Sequence, residues 1–198
     1  MSCVKLFIDV DNTIMNTAEI FIDKYCEDNN INKTIDNLKD WKFKSIDRKI
    51  DIREFLKYIE TEDFFEQVQI DEDFLKFYFT YQLNYEWIFI TKGTPENLKL
   101  KRKFIMESLP TLQNVKFIGI DNDGFKNIYN MNNSIQIDDC YEELNTNARF
   151  KILIKNNLET DYNRIIAPSD NVYAMNNWKE ISESINWFRD EILENVKI

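Results

Sequence analysis

The chain has 198 residues, enough for one domain or one domain carrying a sizeable insertion, and its 43% hydrophobic and 14% aromatic content excludes a disordered polymer despite 30% charge. A net charge of −10 opposes attraction to nucleic-acid polymers and anionic membranes, while a small phosphorylated substrate stays compatible where local cations or a metal reverse the sign inside one cleft. The absence of histidine removes imidazole triads, His-ligated zinc and His general bases, so any chemistry runs on carboxylates, lysines and hydroxyls.

The N-terminal run MSCVKLFIDVDN reaches acidic residues too soon for a signal peptide, and no apolar stretch approaches the length of a membrane span. Val4 to Val10 reads as a buried parallel strand. After Thr13 the spacing turns helical, with Ala18, Phe21, Ile22, Tyr25 and Cys26 on one face. Asp51 and Glu54 form a capping box ahead of a face made by Ile52, Phe55, Leu56 and Ile59. A further helix covers Asp71 to Gln82. Trp87 to Thr91 is the next buried strand, and Thr94-Pro95 starts a helix reaching Leu109. Strands follow at Val115 to Ile120, Ser134 to Ile137 and Phe150 to Ile154. Asn177 and Glu180 cap a last helix with Ile181, Ile185, Phe188 and Ile192 on its apolar face. Strands alternating with helices predict an α/β fold, a doubly wound, mainly parallel sheet with helices on both faces. About 80 residues separate the first two strands where roughly 30 suffice for a β-α-β unit, so a small helical cap is expected at 15–83, inserted into a core formed by 1–14 and 84–198.

Asp9 and Asp11 lie two apart at the end of the first strand, so alternation sends both the same way, although such a pair also serves simply to stop a strand. Asp138 and Asp139 follow another apolar strand, and parallel strands end on one edge, so four carboxylates are expected to converge unless the second pair is a solvated turn. At about 4 Å and an effective dielectric near 20 each like pair repels by roughly 4 kcal/mol, so the cluster needs protons or a cation. Oxygen ligands without His or Cys favour magnesium. Thr91 ends a hydrophobic strand just before a helix N-terminus, a place suited to a phosphate group or simply an ordinary strand end. Lys101 falls within the apolar arc of that helix, whereas Lys99 and Lys103 point away. It either reaches an anion or lays its stem on apolar surface with its head in water. The three cysteines, Cys3, Cys26 and Cys140, form neither a disulfide framework nor a zinc motif, which fits a reducing, cytoplasmic setting. Three Gly and three Pro leave no glycine-rich phosphate loop and no flexible linker.

Taken in order, FIDVDNT (7–13), FIT (89–91), Lys101 and IQIDD (135–139) resemble the four motifs of the haloacid dehalogenase-like phosphatase superfamily. Within it the chain is similar to the 5′(3′)-deoxyribonucleotidases, through DWKF (40–43), DFF (63–65), FKN (125–127), YNR (162–164) and NNWKEI (176–181). The resemblance implies a Rossmann-like core and hydrolysis of a nucleoside monophosphate by Asp9 as nucleophile and Asp11 as acid and base. It implies magnesium held by Asp9, the main chain of Asp11, Asp138 and Asp139, and Thr91 and Lys101 on the phosphoryl oxygens. Lys92, Lys126, Trp41 and Phe43 become candidate substrate contacts, the two aromatics serving either to stack on a base or to fill the cap core. Thr17, Lys92 and Cys140 depart from the family pattern, which bears on base selection more than on chemistry. The expected partner is a small phosphate ester, not a nucleic-acid polymer or membrane, and the protein a monomer or homodimer.

Overall fold

The computed structural model describes residues 3–109, 115–156, 158–161, 163–164 and 171–195; Tyr162 of the YNR stretch lies outside them. Six strands form one all-parallel sheet in the order β3-β2-β1-β4-β5-β6: β1 (Val4–Ile8), β2 (Tyr85–Lys92), β3 (Lys116–Ile120), β4 (Ser134–Asp138), β5 (Phe150–Ile154) and β6 (Val172–Met175). Alternation along β1 divides the core. Leu6 and Ile8 face the larger apolar cluster, and Phe7 faces a smaller one with Ile88, Ile90, Ile120, Met131 and Ala148. Burial on both faces explains why the central strands read as continuous apolar runs.

Helical elements cover the two faces unequally. Helices α4 (Glu72–Tyr81), α5 (Pro95–Ser108) and α6 (Trp178–Asn195) contribute Phe74, Leu100, Ile105 and Ile181 to the larger cluster. The other face is closed by the 3-10 turns Lys126–Ile128 and Glu142–Leu144 with their loops. Thr94 caps α5 through Asn97 N, with Pro95 in the first turn, and Ile181, Ile185, Phe188 and Ile192 of α6 are all buried. The predicted capping boxes form only in part. Asp51 accepts from the amides of Arg53 and Glu54, but the Glu54 carboxylate turns to Lys57. Likewise Asn177 accepts from Glu180 N, while the Glu180 side chain takes the amide of Asn176.

Between β1 and β2 stand α1 (Thr17–Asn29), α2 (Ile52–Ile59), α3 (Glu62–Phe65) and then α4. α1 packs on α2 through an aromatic knot in which Phe21 meets Phe43 at 4.9 Å and Phe55 at 4.8 Å. α4 behaves differently. Its Phe74 and Phe77 pack on Trp87 of β2 and on Trp178 of α6, so it shares the sheet's core although the sequence boundary at residue 83 groups it with the insertion. Among the described residues no helix is long and apolar enough to cross a membrane.

The first strand is shorter than the run Val4 to Val10 suggests. After Ile8 the chain turns, with the amides of Ile14 and Met15 both donating to Val10 O and Asn12 in the left-handed region at φ 53°. Asparagine tolerates that conformation because its amide bonds locally, here accepting from Ala18 N at 2.8 Å. Trp178 ties this turn to the core, its indole N–H donating 3.0 Å to Thr13 O while its ring is fully buried. Trp178→Ala is therefore expected to cost about 3–5 kcal/mol of folding free energy, read as a lower urea midpoint; a loss under about 1 kcal/mol would contradict the packing described.

Candidate active site

Strand register assembles the site. Ile8 pairs with Phe89 on one side and with Ile137 on the other, which sets Asp9 level with Asp138 at the carboxyl edge and leaves Thr91 about two residues along β2. Asp9 N donates 2.9 Å to Ile137 O, fixing the first carboxylate beside the second strand end. Carboxylate oxygens of Asp9, Asp138 and Asp139 all lie within 4.8 Å of one another, and the three residues are buried.

The sequence expects four carboxylates to converge; among the described residues three side chains do. Asp11 turns elsewhere because the backbone leaves the extended form after Ile8, so strand alternation no longer governs its direction. It accepts from Thr17 Oγ1 at 2.9 Å and Thr91 Oγ1 at 3.3 Å, and pairs with the Lys101 ammonium. Lys101 is buried, as its place in the apolar arc requires, and also donates to Thr91 Oγ1 at 3.3 Å and Lys92 O at 2.6 Å. A second buried lysine, Lys126, sits between Asp9 (2.5 Å) and Asp138 (2.7 Å). The ammonium beside the expected nucleophile is thus Lys126, delivered by the 3-10 turn, and not Lys101.

Charges at this density need compensation. Burial pushes Asp9 up to about 7, with Lys126 pulling the other way and Asp138 and Asp11 adding to the rise. Asp138 is raised by burial against the pull of Lys126, and Asp139 is raised well above its ordinary range by burial and by its two carboxylate neighbours. Burial alone would depress Lys126, yet Asp138 and Asp9 outweigh it and hold the ammonium above its ordinary range. Three carboxylates against one ammonium leave two negative charges, the charge a divalent ion supplies. The decisive detail is Asp139 Oδ2, buried without a hydrogen-bond partner, while Asp139 Oδ1 has only Thr13 Oγ1 at 3.4 Å. A buried carboxylate oxygen left bare is costly, and an all-oxygen donor set is the environment that magnesium prefers.

The cluster opens into a cleft of about 940 Å³ whose far wall belongs to the insertion. Trp41 lines that wall half exposed, its backbone amide donating 3.0 Å to Asp161 Oδ1. Phe43 also borders the cleft but is 93% buried, stacked on Phe55 at 5.4 Å, so it fills the cap core and offers little face to a ligand. Lys92 pairs with Glu143 at 2.5 Å and lies 5.6 Å from the Phe125 ring. Sequence reasoning missed the supports: Thr13 bridging Asp9 and Asp139, Gln136 Nε2 donating 3.2 Å to Asp138, and Asn156 donating to the carbonyls of Asn12 and Thr13. Thr13 stands inside FIDVDNT and Gln136 inside IQIDD, and both were visible there; Asn156 is a lone amide with no pattern around it.

No protein-family model matches the chain, and no curated protein matches it. Solved structures do. The chain is similar to a haloacid dehalogenase-like family hydrolase from Streptococcus pneumoniae at 11% identity and TM-score 0.62, over 92% of this chain and 98% of that one. It is similar to the HAD-hydrolase YfnB of Bacillus subtilis, determined bound to magnesium, at 12% identity and TM-score 0.57, over 94% and 100%. A haloacid dehalogenase-like family hydrolase from Xanthomonas campestris aligns at 8% identity and TM-score 0.54, over 98% and 100%. The fold is therefore that of the haloacid dehalogenase-like hydrolases.

The raised carboxyls set a sign. Between the ordinary value of 3.8 and about 7 the folded Asp9 holds a proton that the unfolded chain has released, so its contribution to stability falls as pH rises through that window in the metal-free protein. Magnesium competes with that proton. At a fixed concentration one hundred times its dissociation constant at pH 8, it is expected to raise the melting temperature by about 5–10 °C at pH 8 and far less at pH 5. Asp139→Asn, which removes one like charge, is expected to melt higher than wild type at pH 8 without divalent ions and to gain less from magnesium. Equal magnesium shifts at both pH values would contradict the site.

Proposed function

We propose that this protein, on the fold it shares with those hydrolases, is a magnesium-dependent phosphomonoesterase acting on nucleoside monophosphates, most suitably deoxyribonucleotides. One observation carries the reading: Asp9 and Asp11 open into the same cleft while Asp138 and Asp139 crowd against Asp9 in a buried, charge-deficient cluster. Asp9, Asp138 and Asp139 would hold the ion, with the main chain of Asp11. When bound, magnesium supplies positive charge against the phosphoryl oxygens.

The chain's own groups do the rest. Lys126 fixes Asp9 Oδ1 and so sets the plane of the nucleophilic carboxylate. Asp9 attacks phosphorus, forming an O–P bond as the ester P–O bond breaks, and Asp11 gives its proton to the departing alkoxide. Water then attacks the aspartyl-phosphate, loses its proton to Asp11, and frees Asp9 with inorganic phosphate. Thr91 and Lys101 hold Asp11 in place, and in this reading their hydroxyl and ammonium would bind the phosphoryl oxygens. Such catalysis rests on positioning and charge, which a short residue list provides. Trp41, half exposed, lines the same cleft, and in this reading a base would pack against its indole.

Asp9→Asn is expected to lower magnesium-dependent phosphate release from deoxyribonucleoside monophosphates by about three orders of magnitude or more, since the nucleophile is lost; activity within tenfold of wild type would remove the assignment. Trp41→Ala is expected to raise KM for a nucleoside monophosphate about tenfold, the worth of one base stack, and to leave KM for p-nitrophenyl phosphate unchanged. A panel in which sugar phosphates outcompete every nucleotide would reject the substrate class and keep the chemistry.

A further inference from the structure

The cleft that would receive the ester is lined by five lysines, and four of them are already engaged. Lys101 and Lys126 lie on the catalytic carboxylates, and Lys44 is held by the carbonyls of Arg48 and Ile50. The fourth, Lys92, stands directly after Thr91, next to the phosphoryl position, where a free ammonium would welcome a second anionic group. It is not free. Its Nζ lies 2.5 Å from Glu143 Oε1, with both side chains about three-quarters buried.

The main chain of Glu143 is held in place by the buried interior behind it. Its carbonyl accepts 3.0 Å from Gln136 Nε2, and Gln136 is fully buried, bonded in turn to Asp138 and to Thr146 Oγ1. The pair joins the end of β2 to the 3-10 turn Glu142–Leu144 that follows β4, and the Phe125 ring lies 5.6 Å from the ammonium. An ion pair about three-quarters buried is screened less than a surface pair, so withdrawing Lys92 from Glu143 for a ligand leaves an uncompensated carboxylate in the cleft.

We infer that Glu143 is a specificity-determining residue: by holding Lys92 it makes the cleft accept esters with a single phosphate and reject those with a second phosphate next to the first. Specificity of this kind comes from a repulsive charge placed against the wrong ligand. The inference rests on the phosphomonoesterase reading of the same cleft, and its test is a binding measurement that stands apart from turnover.

Calorimetric titration of the full chain with magnesium present compares inorganic phosphate with pyrophosphate. Wild type is expected to bind phosphate at least tenfold more tightly. In Glu143→Gln, which frees Lys92, the ratio is expected to shift at least tenfold toward pyrophosphate, and the double variant Lys92→Met/Glu143→Gln is expected to lose that gain. Melting curves of each variant confirm folding, and Glu142→Gln, which removes the neighbouring acid without touching the pair, is expected to leave the ratio within threefold. Equal affinity of wild type for the two anions, an unchanged ratio in Glu143→Gln, a gain that survives in the double variant, or an equal gain in Glu142→Gln each overturns the inference. Phosphate binding with this discrimination but without hydrolysis of any monoester would instead overturn the catalytic reading and keep Glu143's role.

Discussion

Two neighbouring parallel strands end at the same level, and each ends in aspartate. That coincidence of register forces Asp9, Asp138 and Asp139 into a largely buried space where their oxygens lie within 4.8 Å of each other. At that separation and an effective dielectric near 20, every ionised pair repels by about 3.5 kcal/mol or more. The neutral donors around the cluster, Thr13 and Gln136, bond these carboxylates without cancelling their charge. Lys126 offsets part of the charge and no more, and the bare Oδ2 of Asp139 marks where the remainder is concentrated. The surrounding structure, from the left-handed Asn12 to the amides of Gln136 and Asn156, holds the carboxylates in place against this repulsion.

The two buried lysines divide the work along the sheet edge. Lys101 comes from a long helix and serves Asp11 and Thr91, whereas Lys126 comes from a three-residue 3-10 turn on the opposite face and serves Asp9 and Asp138. An acid and a nucleophile two residues apart thus have separate counter-charges. Separate partners allow one carboxylate to exchange protons while the other stays fixed, which suits the two roles proposed for them.

Much of this was legible in the sequence, for physical reasons. Strands buried on both faces announce themselves as apolar runs, and a parallel sheet with long crossovers makes their carboxyl ends meet, so the pairing of residues 9 and 138 follows from pattern alone. Lys101 was visible because a helix has a phase, and a lysine inside an apolar arc needs an anion. Lys126 was named only through the FKN resemblance, as a substrate contact, and its place between Asp9 and Asp138 had no periodicity to announce it, since a 3-10 turn in a loop does not show which way its side chain faces. The same holds for β6, four residues long and only partly buried, and for α3, a single turn. Phe43 sits at φ 56°, a conformation that spacing cannot foresee, and this turns its ring into the cap rather than toward a ligand. Asp11 left the expected cluster because the strand ended two residues early, at Ile8.

Crystals grown with manganese in place of magnesium and measured at the manganese absorption edge test the central claim most directly. The account predicts a single strong anomalous peak enclosed by the carboxylates of Asp9, Asp138 and Asp139. Peaks confined to surface acids, with this cluster bare at saturating manganese, would contradict it.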